Sequence, residues 1–243
     1  MRRWLIGLIL SSMAQLALAD HAHIAVASNF AATAKTLATQ FESDTPHSLS
    51  LSFGSSGKLY AQIINGAPFS VFLSADQAKP EALEASGRAL ERRTYARGRL
   101  VIWIRQPDSN DWQQQLRRAE LGKIAFANPR LAPYGAAAQQ VLERLALNDT
   151  RNRWITGENI AQTFQFVTSG NAGAGFIAYS QKPAISDEGD LIQLVPAELH
   201  APIDQDVVLL DTSNRNQAAR AFYQFLQTPA AQAMIEADGY QVP

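Results

Sequence analysis

The chain has 243 residues, with 21 Lys and Arg against 22 Asp and Glu, and no cysteine. A formal charge of −1 provides no basic surface for nucleic acid or an anionic membrane. The absence of thiols excludes a disulfide framework, a cysteine nucleophile and lipid attachment through cysteine.

In chain order, Arg2 and Arg3 precede an apolar run at residues 4–10, followed by Ala17-Leu18-Ala19. This three-part pattern predicts a secretory signal over residues 1–19 with cleavage after Ala19. The run is too short for a transmembrane helix, and the two arginines read as an ordinary positive n-region rather than a twin-arginine signal. Removal of the segment would leave about 224 residues with a charge of −3, enough to bury one large core or two modest ones.

From residue 20 onward the pattern is α/β. A strand at 24–27 leads into Phe30, Ala34, Leu37 and Phe41 at helical spacing, stopped by Thr45-Pro46. Leu49, Leu51 and Phe53 alternate as in a strand. They run into the turn Gly54-Ser55-Ser56-Gly57 and a helix carrying Leu59, Tyr60, Ile63 and Ile64, closed by Asn65-Gly66. Residues 69–73 form a third strand, and Asp76 can cap a helix over 80–86. Three such βα units predict a parallel sheet. A fourth strand at 100–104 opens a second block: strand 123–127, helices 136–146 and 158–168, and strands 175–179 and 191–195. A return strand at 207–210 precedes two final helices, the last over 229–237 and stopped by Gly239. The expected organisation is one lobe from 20–98 plus 207–243 and another from 101–200, hinged near 98–101 and 201–207.

The strand–turn–helix passage recurs at 24–30, 49–63 and 123–135. A helix start carries unpaired N–H groups and partial positive charge, so several converging on one point would hold a small anion without Lys or Arg. The segment Gly54-Ser55-Ser56-Gly57-Lys58 is not a nucleotide phosphate loop, which needs four residues between its glycines and Ser or Thr after the Lys. Nor is it a nucleophile elbow, because Gly57 directly follows Ser56. Its serines either face a ligand or merely cap the helix. Ser28-Asn29 occupies the same place after the first strand, and two such turns on neighbouring parallel strands match the position where α/β sheets bind ligands. Tyr134, beside a helix start, offers an O–H and a backbone N–H, or is a loop aromatic. Ile160, which opens a helix after Thr156-Gly157-Glu158-Asn159, can give only its N–H, or is core.

The four histidines point elsewhere. His21 and His23 would stand second and fourth from the expected new N-terminus, a poorer copper arrangement than a third-position His, and read as the lead into a strand. His47 and His200 are isolated, so neither a metal-ligand set nor a catalytic triad is expected.

The ordered motifs A-S-N-F (27–30), S-F-G-S-S-G-K-L-Y-A-Q-I (52–63), N-G-A-P-F-S-V-F-L-S-A-D (65–76), N-P-x-x-A-P-Y-G (128–135) and G-F-I-A-Y-S-Q (175–181) resemble the molybdate-binding periplasmic proteins of ABC importers. The resemblance covers the chain beyond the signal. It implies a type II periplasmic binding protein fold, in which two α/β lobes with mixed, mainly parallel sheets are joined by a two-strand hinge. It also implies a molybdate or tungstate ligand held by neutral donors: Ser28, Asn29 and Ser56 from one lobe, Tyr134 and the Ile160 N–H from the other. No cofactor and no catalysis are implied; the partners are the oxyanion and a membrane permease, and the protein is an expected periplasmic monomer. Some members carry a tyrosine three residues after the glycine of the G-F-I strand. Here that position is Ala178, and Tyr179, one residue later, is left outside the ligand set.

The chemistry agrees. A tetrahedral dianion without a proton needs donors only, and a pocket without carboxylates rejects a protonated phosphate, whose O–H would find no acceptor. Sulfate would have to be told apart by size. Two alternatives stand beside this reading: a binder of another oxyanion such as sulfate, and an exported serine hydrolase using Ser56, which would need a His and a carboxylate nearby.

Overall fold

A computed structural model describes residues 19–185 and 188–243; the expected export signal lies, up to Leu18, outside the described residues. The chain begins with β1 (His21–Ala27), α1 (Ala31–Asp44), β2 (Ser48–Gly54), α2 (Ser56–Ile64), β3 (Val71–Leu73), α3 (Ala78–Ala85) and β4 (Ala89–Gly98). After Arg99 come β5 (Leu100–Ile104), α4 (Trp112–Arg117), β6 (Ile124–Ala127), α5 (Pro133–Arg144), β7 (Trp154–Gly157), α6 (Ile160–Thr168), β8 (Ala174–Ala178) and β9 (Leu191–Leu194). The chain then returns through β10 (Ile203–Leu210), α7 (Gln217–Phe225) and α8 (Pro229–Ala237).

These strands form two sheets of five, in the orders β2-β1-β3-β10-β4 and β7-β6-β8-β5-β9. In each, three strands run parallel and two are added by antiparallel pairing, giving the expected two-lobed α/β fold with mixed sheets. Parallel strands need crossover helices on both faces, which is why their residues are apolar on both sides. In β1, Ile24 and Val26 face a core shared with α1, α7 and α8, while Ala25 faces Leu59, Ile63 and Leu83 of α2 and α3. In β5, Leu100, Ile102 and Ile104 pack with Val141 and Leu142 of α5, while Val101 and Trp103 pack with Val167 of α6. Among the described residues no helix is long and apolar enough to cross a membrane.

Three elements escape the sequence pattern. β4 carries Glu91, Arg92, Arg93 and Arg97 in place of an apolar alternation, because it is an edge strand whose charges find partners beside it: Arg92 meets Asp206 at 2.6 Å and Glu84 at 2.9 Å, and Arg97 meets Asp204 at 2.5 Å. β7, the edge of the second sheet, has only four residues, and α4 only six, too few to show a period. In addition, α5 starts at Pro133 rather than 136, since a proline at the first helical position supplies a helical φ and needs no N–H partner.

Candidate functional site

The strand register sets the site. Ala27 at the end of β1 lies opposite Gly54 at the end of β2, and Ala127 of β6 lies opposite Gly157 of β7. Each sheet therefore delivers two turns side by side at the carboxyl ends of parallel strands, the edge where α/β proteins bind ligands. All five expected residues, Ser28, Asn29, Ser56, Tyr134 and Ile160, line one small chamber, about 190 Å³ including open space, between the sheets, together with Ser55 and Ala75. Among the described residues no Asp, Glu, Lys, Arg or His lines it. A larger groove, about 970 Å³ including open space, lies between α3 and α5, but two carboxylates, Asp76 and Asp204, line it and its one cation, Lys79, is paired with Asp76, which disfavours an oxyanion.

Capping within each turn decides which N–H is left over. Ser55 accepts from the Lys58 N–H at 3.4 Å, and the Gly57 N–H donates to the Leu131 carbonyl at 2.8 Å, leaving Ser56 at the first position of α2. Asn159 Oδ1 accepts from Ala161 and Gln162, both at 3.0 Å, and its carbonyl takes the Thr163 N–H, leaving Ile160. Ahead of α5, Ala132 has no side-chain acceptor and Pro133 no N–H, while the Gly135 and Ala136 amides go to the Ala132 carbonyl, leaving Tyr134. A 3-10 turn over Ser28–Phe30, with no side-chain cap, puts Ser28 and Asn29 at a fourth start. Four helix starts thus converge, with their partial positive charge, on a single chamber.

The side chains divide differently. Ser56 Oγ accepts from the Ala75 N–H at 2.9 Å, which turns its own proton towards the chamber. Ser28 is half-buried and its hydroxyl is free of protein partners among the described residues. Asn29, by contrast, spends its Nδ2 on Gln205 Oε1 at 2.9 Å and Tyr240 Oη at 3.2 Å, so its side-chain amide nitrogen is already engaged within the protein. The Tyr134 hydroxyl also points away: it lies against Gly98 and accepts from Gln205 Nε2 at 3.4 Å. Burial pushes its ionisation well upward, reinforced by Tyr240 and opposed by the Gln205 and Asn29 side chains, so it stays a neutral phenol. Of Tyr134, then, only the backbone N–H faces the chamber.

The chamber is shut by contacts between the elements of the two sheets. Besides Gly57 to Leu131, Lys58 pairs with Glu158 at 2.5 Å, and Ser180 Oγ donates to the Asn29 carbonyl at 3.0 Å. Tyr179 stands outside, its ring under the Arg99 guanidinium at 3.9 Å. None of the histidines lines the chamber: His21 and His23 bond Ser48 and Ser52 across β1 and β2, His47 takes the Asp20 N–H, and His200 meets the Ala201 carbonyl. Among the described residues no group of three or more His, Cys, Asp or Glu could hold a metal ion.

Sequence reasoning missed Gln205, Tyr240 and Ser180, which surround Asn29 and Tyr134 from behind. Ser180 lies within the G-F-I-A-Y-S-Q motif, but Gln205 and Tyr240 lie in none of the quoted motifs, and the role of all three depends on side chains meeting from segments far apart in the chain.

Three comparisons bear on this geometry. Residues 22–241 match the family model described as bacterial extracellular solute-binding protein. The chain is 43% identical over 246 residues to the molybdate-binding protein ModA of Azotobacter vinelandii, covering 98% of this chain and 96% of that protein. It is 42% identical to the molybdate-binding protein ModA of Rhodobacter capsulatus, covering 89% of this chain and 86% of that one. Among solved structures, the Azotobacter vinelandii periplasmic molybdate-binding protein superposes with a TM-score of 0.85 at 38% identity, over 91% of this chain and 99% of that one.

Proposed function

The chain belongs to the bacterial extracellular solute-binding protein family, and on that premise we propose that it captures molybdate in the periplasm and delivers it to the permease of an ABC importer. It is a binding protein and not an enzyme, like the relatives it matches along nearly its whole length. The observation that carries the choice of ligand class is the chamber itself, where hydroxyls and helix starts converge and, among the described residues, no carboxylate or other charged side chain intrudes. The ligand set comprises the hydroxyls of Ser28 and Ser56 and the backbone N–H groups of Asn29, Ser56, Tyr134 and Ile160.

Physical chemistry supports this assignment. A chamber of neutral donors without a carboxylate suits a fully ionised tetrahedral dianion and disfavours a protonated phosphate, whose O–H could be accepted only by a serine hydroxyl that then no longer donates to the anion, a lost bond of about 1–3 kcal/mol. Fixed backbone N–H groups discriminate by size, because they cannot close onto a smaller sulfate without moving their helices. Tungstate carries the same charge on nearly the same frame, and the reading extends to it.

One lobe comprises residues 20–98 and 207–243 and the other residues 101–200, closing on the ion as a monomer after export through the signal at 1–19. Ser56 as a hydrolase nucleophile would need a histidine beside it, and its Oγ is instead engaged with a backbone amide. Calorimetric titration of the mature protein with molybdate, tungstate, sulfate and phosphate tests the proposal. Tight binding of the first two, weaker sulfate and no phosphate is the expected order; binding of none would refute it.

A further inference from the structure

Behind the chamber lies a buried polar cluster that oxyanion binding does not itself require. Gln205, on β10 and fully buried, accepts through Oε1 from Asn29 Nδ2 at 2.9 Å and from the Tyr95 hydroxyl at 3.1 Å, and donates through Nε2 to the Tyr134 hydroxyl at 3.4 Å. Asn29 is gripped again from the other side. Its carbonyl accepts from Tyr240 Oη at 2.7 Å and from Ser180 Oγ at 3.0 Å, the two hydroxyl oxygens lying 3.0 Å apart. Asn29, Tyr95 and Tyr240 stand with the first sheet, Tyr134 and Ser180 with the second.

One side chain therefore touches a chamber-lining residue from each sheet. Gly98 makes the approach possible, because a β-carbon there would overlap the Tyr134 hydroxyl and Gln205 Nε2. A cluster serving packing alone needs only internal satisfaction of its polar groups; this one also spans the cleft at the two residues whose N–H groups face the ion.

Resting on the oxyanion reading above, we propose that Gln205 is a positioning residue that couples the two halves of the ion site. With its side chain and carbonyl both fixed, Asn29 cannot rotate, and its N–H keeps its aim. The bond from Gln205 to Tyr134 exists only while the second sheet's helix start is in place. The ion and this bond stabilise the same shut state, so each strengthens the other by linkage. Loss of the bond should speed release more than it slows capture.

The test uses the mature protein as wild type, Tyr134→Phe, Gln205→Met and the double variant, with molybdate as the probe. Stopped-flow kinetics read association and dissociation, calorimetry reads affinity, and thermal melts without ligand read stability. Each single variant is expected to release molybdate about three- to tenfold faster, the range of one lost neutral hydrogen bond, with association within about twofold of wild type. The double variant should release it no faster than Gln205→Met alone, because the same bond is already gone. Tyr134→Phe keeps the ring and both Asn29 bonds, so it decides the matter alone if Gln205→Met does not fold. An unchanged release rate in Tyr134→Phe, or effects that multiply in the double variant, would overturn the coupling and leave Gln205 a stability residue. Wild-type protein that binds no molybdate would instead overturn the oxyanion reading, and the coupling with it.

Discussion

Ser56→Ala removes a hydroxyl with two distinct jobs, and their magnitudes can be separated. As a donor to a dianion it makes a charge-assisted hydrogen bond worth about 1.5–3 kcal/mol, so molybdate affinity should fall about 10- to 150-fold. As an acceptor, Oγ satisfies the Ala75 N–H, and Ala75 is only 2% exposed. The orphaned amide costs about 1–3 kcal/mol of folding stability, the lower end if water enters the space left. For a chain of this size that is a drop in melting temperature of about 2–4 °C per kcal/mol. Calorimetric titration measures the first effect, and scanning calorimetry of the unliganded protein the second. A Ser56→Ala protein that melts lower yet binds molybdate within twofold of wild type would refute the assignment of the hydroxyl as a ligand. A protein with unchanged melting would show that the Ala75 bond contributes nothing to the fold.

Molybdate itself should stabilise the protein: at about a hundredfold excess over its dissociation constant, binding to the native state alone adds about 2.7 kcal/mol, and melts that coincide with and without the ion would remove the binding role. Lys58→Ala should speed release by no more than about fivefold at low salt, because a half-exposed pair contributes at most about 1 kcal/mol. The difference should vanish near 1 M salt, where the screening length is about 3 Å; stopped-flow release at both ionic strengths checks this. His23 should give the fold a mild acid sensitivity. Burial, with a smaller contribution from His21, holds its pKa below the ordinary 6.5. The unfolded chain therefore takes up a proton first, and stability falls as pH drops through 6.5 and levels off beneath the folded value. Urea denaturation at pH 7.5, 6.5 and 5.5 reads the slope, which His23→Gln should reduce.

Much of the site is local, and local features are legible in a sequence. Ser55, Asn159 and Pro133 are residues whose chemistry marks a helix start wherever they occur, and each determines which neighbouring N–H goes uncapped. The sequence thus places Ser56, Tyr134 and Ile160 at helix starts, where each could equally cap, fill a loop or join the core, and it is the family resemblance that implies them as one set. The roles within the residues were less legible. Tyr134 offers both a hydroxyl and an amide on paper, and only the ring's insertion beside Gly98 settles that the amide faces the chamber. Asn29 is the same case: its side chain looks like a donor to ligand until Gln205 and Tyr240 are seen to occupy it. β4 stayed hidden because its alternation is written in charges that are quieted only by partners on β10 and α3.

The α/β class and the strand-to-helix turns are legible in the sequence, because periodicity and caps act over a few residues; Lys58, Arg130 and Glu158 also stand in those turns, and only the fold keeps their side chains out of the chamber. Only the tertiary structure decided that four helix starts share one chamber, which follows from the pairing of Ala27 with Gly54 and Ala127 with Gly157. It alone also decided that Gln205 bridges Asn29 and Tyr134. Contacts between residues 29, 134 and 205 depend on how two sheets are set against each other, and no short-range pattern encodes that.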